Sequence, residues 1–142
     1  MNASSLMSLF THEKPRETAD DNAQIILNDE GIIEISWVGD VRWKSYTTAL
    51  QGVFQISSEL ELEGQEIKLL VDFSQVNNIE PRTPHIASRG LKDIPYKKIA
   101  GFGIKPKHQL LLDQIKEDAR LNKGEIRDFG TRSSALKWLR QG

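Results

Sequence analysis

Seven residues, Ile67–Lys68–Leu69–Leu70–Val71–Asp72–Phe73, constrain the fold of this chain more than any other stretch. A nearly continuous apolar run of this kind is the pattern of a central strand covered on both faces. The flanking sequence supplies the cover. Upstream, Tyr46, Ala49, Leu50, Val53, Phe54 and Leu60 recur at three- and four-residue steps, which predicts a helix over 41–62 with one apolar side. Gly64 closes it and Asp40 is placed to cap its start. Downstream, Ser74 to Pro81 reads as a polar loop, and Thr83 and Pro84 open a second helix whose inner side carries Ile86, Ala87, Leu91 and Ile94.

The remaining segments continue the alternation. Ile25–Ile26–Leu27 and Ile32 to Val38 read as strands joined by the turn Asn28–Asp29–Glu30–Gly31, a hairpin. Lys98 to Ile104 reads as a strand with small residues for close helix approach. Pro106 opens a helix reaching about Asn122, with Leu111, Leu112, Ile115 and Ala119 inward. Ile126 to Phe129 is a short strand at or near a sheet edge. Thr131 caps a last helix with Ala135, Leu136, Trp138 and Leu139 on its apolar side. The order β-β-α-β-α-β-α-β-α predicts an α/β fold: a five-stranded mixed, mostly parallel sheet, an N-terminal β-hairpin and four helices on its two faces.

At 142 residues this is one domain, expected over 24–142, preceded by a leader over 1–23. The leader is polar and charged apart from Leu6, Met7, Leu9 and Phe10, a patch suited to capping the domain or a partner subunit. It lacks the basic start and longer apolar stretch of a secretory signal, and no apolar run approaches the ~20 residues of a membrane-spanning helix. A cytoplasmic location is the expectation that follows. The absence of cysteine excludes disulfides, thiolate metal sites and cysteine nucleophiles. Net charge is −1, yet residues 1–81 carry −9 and residues 82–142 carry +8. Either the halves interleave and neutralise each other, or the molecule presents a basic face to anions or to a second copy of itself. No basic stripe interleaved with aromatics points to nucleic acid.

One segment carries a family resemblance. Val71–Asp72–Phe73–Ser74–Gln75–Val76–Asn77–Asn78–Ile79–Glu80–Pro81–Arg82–Thr83 resembles the STAS superfamily, which includes bacterial anti-sigma-factor antagonists and the cytoplasmic domains of sulfate transporters. The antagonists carry a strand ending Asp-Leu-Ser-x-Val, then two residues, then Ile-Asp-Ser-Ser-Gly at a helix start. Asp72, Ser74, Val76 and Ile79 stand at matching positions, and Glu80 replaces the aspartate. The family's two serines fall on Pro81 and Arg82, and its glycine on Thr83. A phosphorylated serine at this helix start switches partner binding in the antagonists. Arg82 cannot be phosphorylated, which leaves Thr83, one residue out of register, and Ser74 as hydroxyls for modification. Pro81–Arg82 at the start of the helix after the central strand, Lys98 to Gly103, and Phe129–Gly130–Thr131 running into Ala135–Leu139 are similar to the stand-alone SpoIIAA-like branch. The resemblance covers roughly residues 24–140 and implies fold more than activity.

In an open α/β sheet, ligands gather beyond the carboxyl ends of the strands. The loops expected there hold Ser74, Asn77, Asn78, Arg82, Thr83, His85, Lys105, Lys107, His108, Thr131 and Arg132. They are either ordinary solvated loop residues and caps, or a small pocket for phosphate or carboxylate with Arg82 as the forked anchor and Lys105 as a point charge. His85 and His108 share no metal-ligand spacing, the serines lack a nucleophile elbow, and Glu80 beside Arg82 reads as an ion pair framing the helix start. No catalytic residue, metal or cofactor is expected. The leading expectation is a non-enzymatic regulatory or adaptor module that binds a protein partner through Ser74 to Leu91, as the resemblance implies, with homodimerisation open. The alternative is a sensor or carrier for an anionic or lipid-like molecule at the strand ends.

Overall fold

A computed structural model describes residues 22–141. The residues expected to form a leader lie, up to residue 21, outside the described residues. Strands β1 (Ala23–Leu27) and β2 (Ile33–Val41) form the hairpin, and helix α1 (Trp43–Leu62) follows. Then come β3 (Ile67–Ile79), α2 (Thr83–Leu91), β4 (Tyr96–Phe102), a 3-10 turn at Pro106–His108, α3 (Gln109–Ala119), β5 (Glu125–Phe129) and α4 (Arg132–Arg140). The sheet order is β1-β2-β3-β4-β5, antiparallel at the first pair and parallel thereafter. The expected five-stranded mixed sheet with four helices is therefore present.

The hairpin turn is built by Asn28, whose Oδ1 accepts from the Glu30 and Ile32 amides at 2.8 and 3.0 Å. Gly31 completes it at φ 78°, a conformation other residues rarely adopt.

Each parallel crossover advances one strand in the same direction, so the right-handed rule lays α1, α2 and α3 on one face. There Ile33, Ile35, Leu69, Val71 and Ile99 meet Val53, Ile56 and Leu91 in the larger core. Inside this layer the sheet and the three helices enclose an apolar cavity of about 80 Å³, with Tyr46, Leu50, Leu91 and Leu112 among its walls. The other face is covered by α4 alone, through Ala135, Trp138 and Leu139 against Leu70, Ala100 and Phe102. Both faces of the central strand are covered, as the apolar run requires, but unequally.

Four local expectations are corrected. The polar segment after Phe73 is strand, not loop: β3 runs on to Ile79, pairing Gly39 with Val76, Asp40 with Asn78 and Val41 with Ile79 across two register shifts. β4 ends at Phe102, so β2 and β3 project beyond it as a two-stranded ribbon. Ser74, Gln75, Asn77 and Asn78 are exposed while Val76 is fully buried, so the ribbon's polarity imitates a loop. Asp40 consequently lies in β2, and α1 begins only at Trp43, after Arg42, which makes no side-chain cap. Thr83 is the first residue of α2 rather than its cap; Arg82 holds that position. Phe54, expected inside, is 48% exposed. Thr131 does cap α4, accepting from the Ser134 amide at 3.2 Å.

The far end of α4 is held by Lys98. Its residue is only 5% exposed, and its ammonium donates to the Trp138 and Gln141 carbonyls at 2.9 Å each while lying 4.8 Å from the Trp138 ring centre. A buried cation here adds a second donor to the Trp138 carbonyl, which also accepts from the Gln141 amide at 3.2 Å, and supplies one to the Gln141 carbonyl just past the helix end. Lys98→Met keeps the stem and removes the donors; it is expected to cost about 1–3 kcal/mol in urea unfolding and to raise amide exchange in α4 before the rest of the sheet.

Candidate functional site

The projecting ribbon and the first turn of α2 bring the sequence-nominated residues into two groups. At the root of α2, the Glu80 amide donates to the Val41 carbonyl at 2.9 Å, and the Thr83 amide donates to the Glu80 carbonyl at 2.9 Å. The Glu80 carboxylate accepts from the Trp43 amide at 3.3 Å, serving as the cap that Arg42 does not supply. Its other oxygen accepts from Arg82 Nε at 3.1 Å. The Arg82 guanidinium lies 5.6 Å from the centre of the Trp43 ring. The ion pair expected to frame the helix start is therefore present, and Trp43 completes it from α1. Arg82 itself stays exposed, its side chain 72% accessible, held over an aromatic face with donors still free.

The second group lies at the ribbon's tip. Asn78 Nδ2 donates to Asp40 Oδ1 at 3.3 Å, and its Oδ1 accepts from Lys107 at 3.5 Å. Lys105 donates to the Val76 carbonyl. His108, 5% exposed, hydrogen-bonds the Asn77 backbone. Burial pushes its pKa below the ordinary imidazole value, Lys107 and Lys105 push it the same way, and the Asn77 bond opposes them. The turn carrying Lys105 to His108 is thereby tied to the ribbon.

Other nominated residues stand apart. Ser74 is exposed, its amide bonded to Asp72 Oδ1 at 2.8 Å. Gly103 crosses Ser74 so closely, at φ 75°, that a Cβ on it would sit 2.9 Å from the Ser74 nitrogen. His85 projects from α2 into solvent. Thr83 is 2% exposed, its hydroxyl buried without a hydrogen-bond partner. Arg132 lies at the start of α4 and binds Glu34 at 2.8 Å, on the opposite face of the sheet from α2. Burial raises the Glu34 pKa, but hydrogen bonds from Arg132 and Asn28 outweigh it and hold the carboxylate below its usual range. The structure thus does not gather Arg82, Lys105 and Arg132 round one pocket; each cation has its own partner.

Sequence reasoning missed one surface. Arg82, His85, Arg89 and Lys92 recur at three- and four-residue steps and are all exposed, forming a basic stripe along α2. Among the described residues, only Arg82 of the four forms an ion pair. The three- and four-residue spacing of these side chains is the sequence signal that marks the stripe. Beside the stripe, Leu50, Phe54, Ile86, Gly90 and Ile94 border an open groove between α1 and α2. The helices touch closely at its floor, since a Cβ on Gly90 would overlap Leu50.

With the geometry in place, comparison with solved structures decides the fold. An anti-sigma factor antagonist from Mycobacterium paratuberculosis superposes with a TM-score of 0.57 at 14% identity, covering 87% of this chain and 99% of that one. The fold is SpoIIAA-like. The phosphorylated form of the Bacillus cell-fate determinant SpoIIAA gives 0.51 at 11% identity, over 83% of this chain and 99% of its own. An uncharacterised protein of the DUF3478 family from Shewanella loihica, also of SpoIIAA-like fold, gives 0.51 at 20% identity, over 82% and 91%. No family model matches the chain, and no curated protein matches it significantly. Among the described residues, no cluster of His, Asp and Glu could hold a metal, and no helix is long and apolar enough to cross a membrane.

The His108 environment has a pH consequence. Between its lowered value and the ordinary 6.5, the unfolded chain binds more protons than the folded one. Stability is therefore expected to fall as pH drops through about 6.5. Glu34 and Asp128, whose carboxylates are held below their usual range, contribute a loss only below about pH 4.5. Urea midpoints measured from about pH 7.5 to 5 should decline in the wild type. The decline should flatten in His108→Gln, which keeps a donor for the Asn77 backbone but does not titrate.

Proposed function

We propose that this SpoIIAA-like domain is a non-enzymatic regulatory or adaptor module that captures a protein partner on the ribbon and helix from Ser74 to Leu91. The observation that carries the reading is the treatment of Arg82. Glu80 and Trp43 fix the guanidinium at the helix start, yet leave it exposed at the head of an exposed basic stripe. Holding a long charged side chain in place removes rotamer freedom before any partner arrives, which lowers the cost of binding. An arginine over an aromatic ring also has the character of an interface hot spot. Asn77, Asn78 and Lys105 extend the surface along the ribbon, with His85 on the helix.

The SpoIIAA neighbour solved in its phosphorylated form gives the reading its contrast. Where the antagonist pattern has a serine, this chain has a permanent cation. Recognition here rests on fixed positive charge at Arg82. Of the two remaining hydroxyls, Ser74 is open to modification as the structure stands, while Thr83 becomes accessible only if the first turn of α2 opens.

A photo-crosslinking residue at His85, in the full chain expressed in its own host, is expected to capture one discrete protein. The same residue at Lys137 on α4 should not. Arg82→Glu in the His85 bait should lower the captured amount by about tenfold or more, the loss of one charge-assisted contact. Equal capture from both positions, or capture indifferent to Arg82, would sink this reading.

A further inference from the structure

We propose that the chain's own N-terminal segment, Leu6 to Phe10, docks in the groove between α1 and α2 and so covers the partner-binding face of α2. The groove supplies an unusual combination. Phe54 presents nearly half its surface to solvent beside Ile86 and Leu50, and Arg89 stands on the rim at the centre of the basic stripe. Exposed aromatic surface next to Arg89, which forms no ion pair among the described residues, fits a segment that is apolar and followed by acid. Asp93 is the one acidic residue bordering the groove, and the α1 wall is neutral at Thr47 and Gln51.

The sequence outside the described residues has that composition. Leu6, Met7, Leu9 and Phe10 place four apolar residues within five, and Glu13, Glu17, Asp20 and Asp21 follow against Lys14 and Arg16. The described chain begins at Asn22, whose Oδ1 accepts from the Ser45 hydroxyl at 3.1 Å, in the first turn of α1. The groove starts at Thr47 and reaches Phe54, about 11 Å farther along the helix axis. Residues 11–21 can span up to about 36 Å, so the reach is ample. A tether of that length gives an effective concentration of roughly 1 mM, so even a contact with a Kd near 1 mM would be occupied about half the time.

This deepens the partner-binding reading by giving its surface a built-in competitor, and it rests on that reading for its consequence only. The test contains no partner, so its failure leaves partner binding untouched. The absence of cysteine makes Ser8→Cys a unique labelling position in the full chain. With a nitroxide there, amide signals of Phe54, Ile86 and Gly90 are expected to lose at least about half their intensity. Those of Ala135 to Leu139 on α4 should keep theirs. The same label in a Leu9→Ser/Phe10→Ser chain, which leaves the folded domain unaltered, should restore the groove signals. Unchanged groove signals, or equal losses on α4, would overturn the proposal. So would broadening in a mixture of isotope-labelled, unspun chain with spin-labelled, isotope-free chain, because that would assign the contact to a second copy.

Discussion

The pairing of β2 with β3 beyond the end of β4 is the interaction on which the rest of this molecule depends. Through Leu69 and Val71, β3 is an ordinary buried strand, and its neighbours on both sides fix its register. Beyond Asp72 it has only β2 beside it, and that pairing absorbs two irregularities before reaching Ile79. Everything proposed as functional hangs from this ribbon. Val76, fully buried, anchors it and lends its carbonyl to Lys105; Asn77 holds His108; Glu80 joins the ribbon's end to the first turn of α1. A surface built on a strand and a capped helix is positioned more firmly than one on a free loop.

Part of the opposite charge of the two halves of the chain is used to hold those halves together. Glu30 receives Arg140 through two bonds of 2.8 and 2.7 Å, Glu34 receives Arg132, and Glu66 receives Lys97. Each pair joins an acidic residue of the first half to a basic residue of the second. Exposed pairs of this kind contribute little to stability individually. Their value lies in what they leave over. With Arg132 and Arg140 engaged on the α4 side, the cations without acidic partners on α2 stand out as the surplus. The neutralising interpretation of the sequence asymmetry holds at these pairs, and, within the described residues, Arg89 and Lys92 on α2 are among the basic residues that form none.

The sequence was legible where burial dictates residue type. The apolar run at Ile67, the turn at Asn28 to Gly31, the Thr131 cap and the edge position of β5 all follow from local chemistry, and each is found. It misled where solvent reaches a regular element. Ser74 to Ile79 is strand, but a ribbon with no helix over it selects polar side chains just as a loop does. Asp40 has the chemistry of a helix cap, yet the pairing of Asp40 with Asn78 keeps it in β2, and the capping falls to Glu80, remote in sequence. Phe54 fits the helical period of the core, but the period marks a side of the helix and not the limit of its burial. The candidate site was legible as a list of residue types at strand ends. Its division between two faces of the sheet was not, because nothing local to Arg132 records that α4 returns to the face opposite α2.

A fixed cation where the antagonist pattern has a serine changes what regulation must accomplish. Phosphorylation adds about −1.5 to −2 charges at a chosen moment and removes them at another. Arginine is a permanent cation, and here Glu80 and the Trp43 ring hold the Arg82 guanidinium in place. On the proposed reading, a surface built on such a group is permanently competent, so control would act on access to it rather than on its charge. Access can be limited by a competitor of opposite charge. A competitor carried on the same chain needs only weak affinity, because tethering supplies the concentration. The partner then prevails by binding more tightly than a millimolar contact, a threshold that a specific interface of ordinary size clears easily. On that proposal the basic stripe on α2, the exposed ring of Phe54 and the acidic sequence that precedes Asn22 are the three components such control requires, and each is encoded in this one sequence.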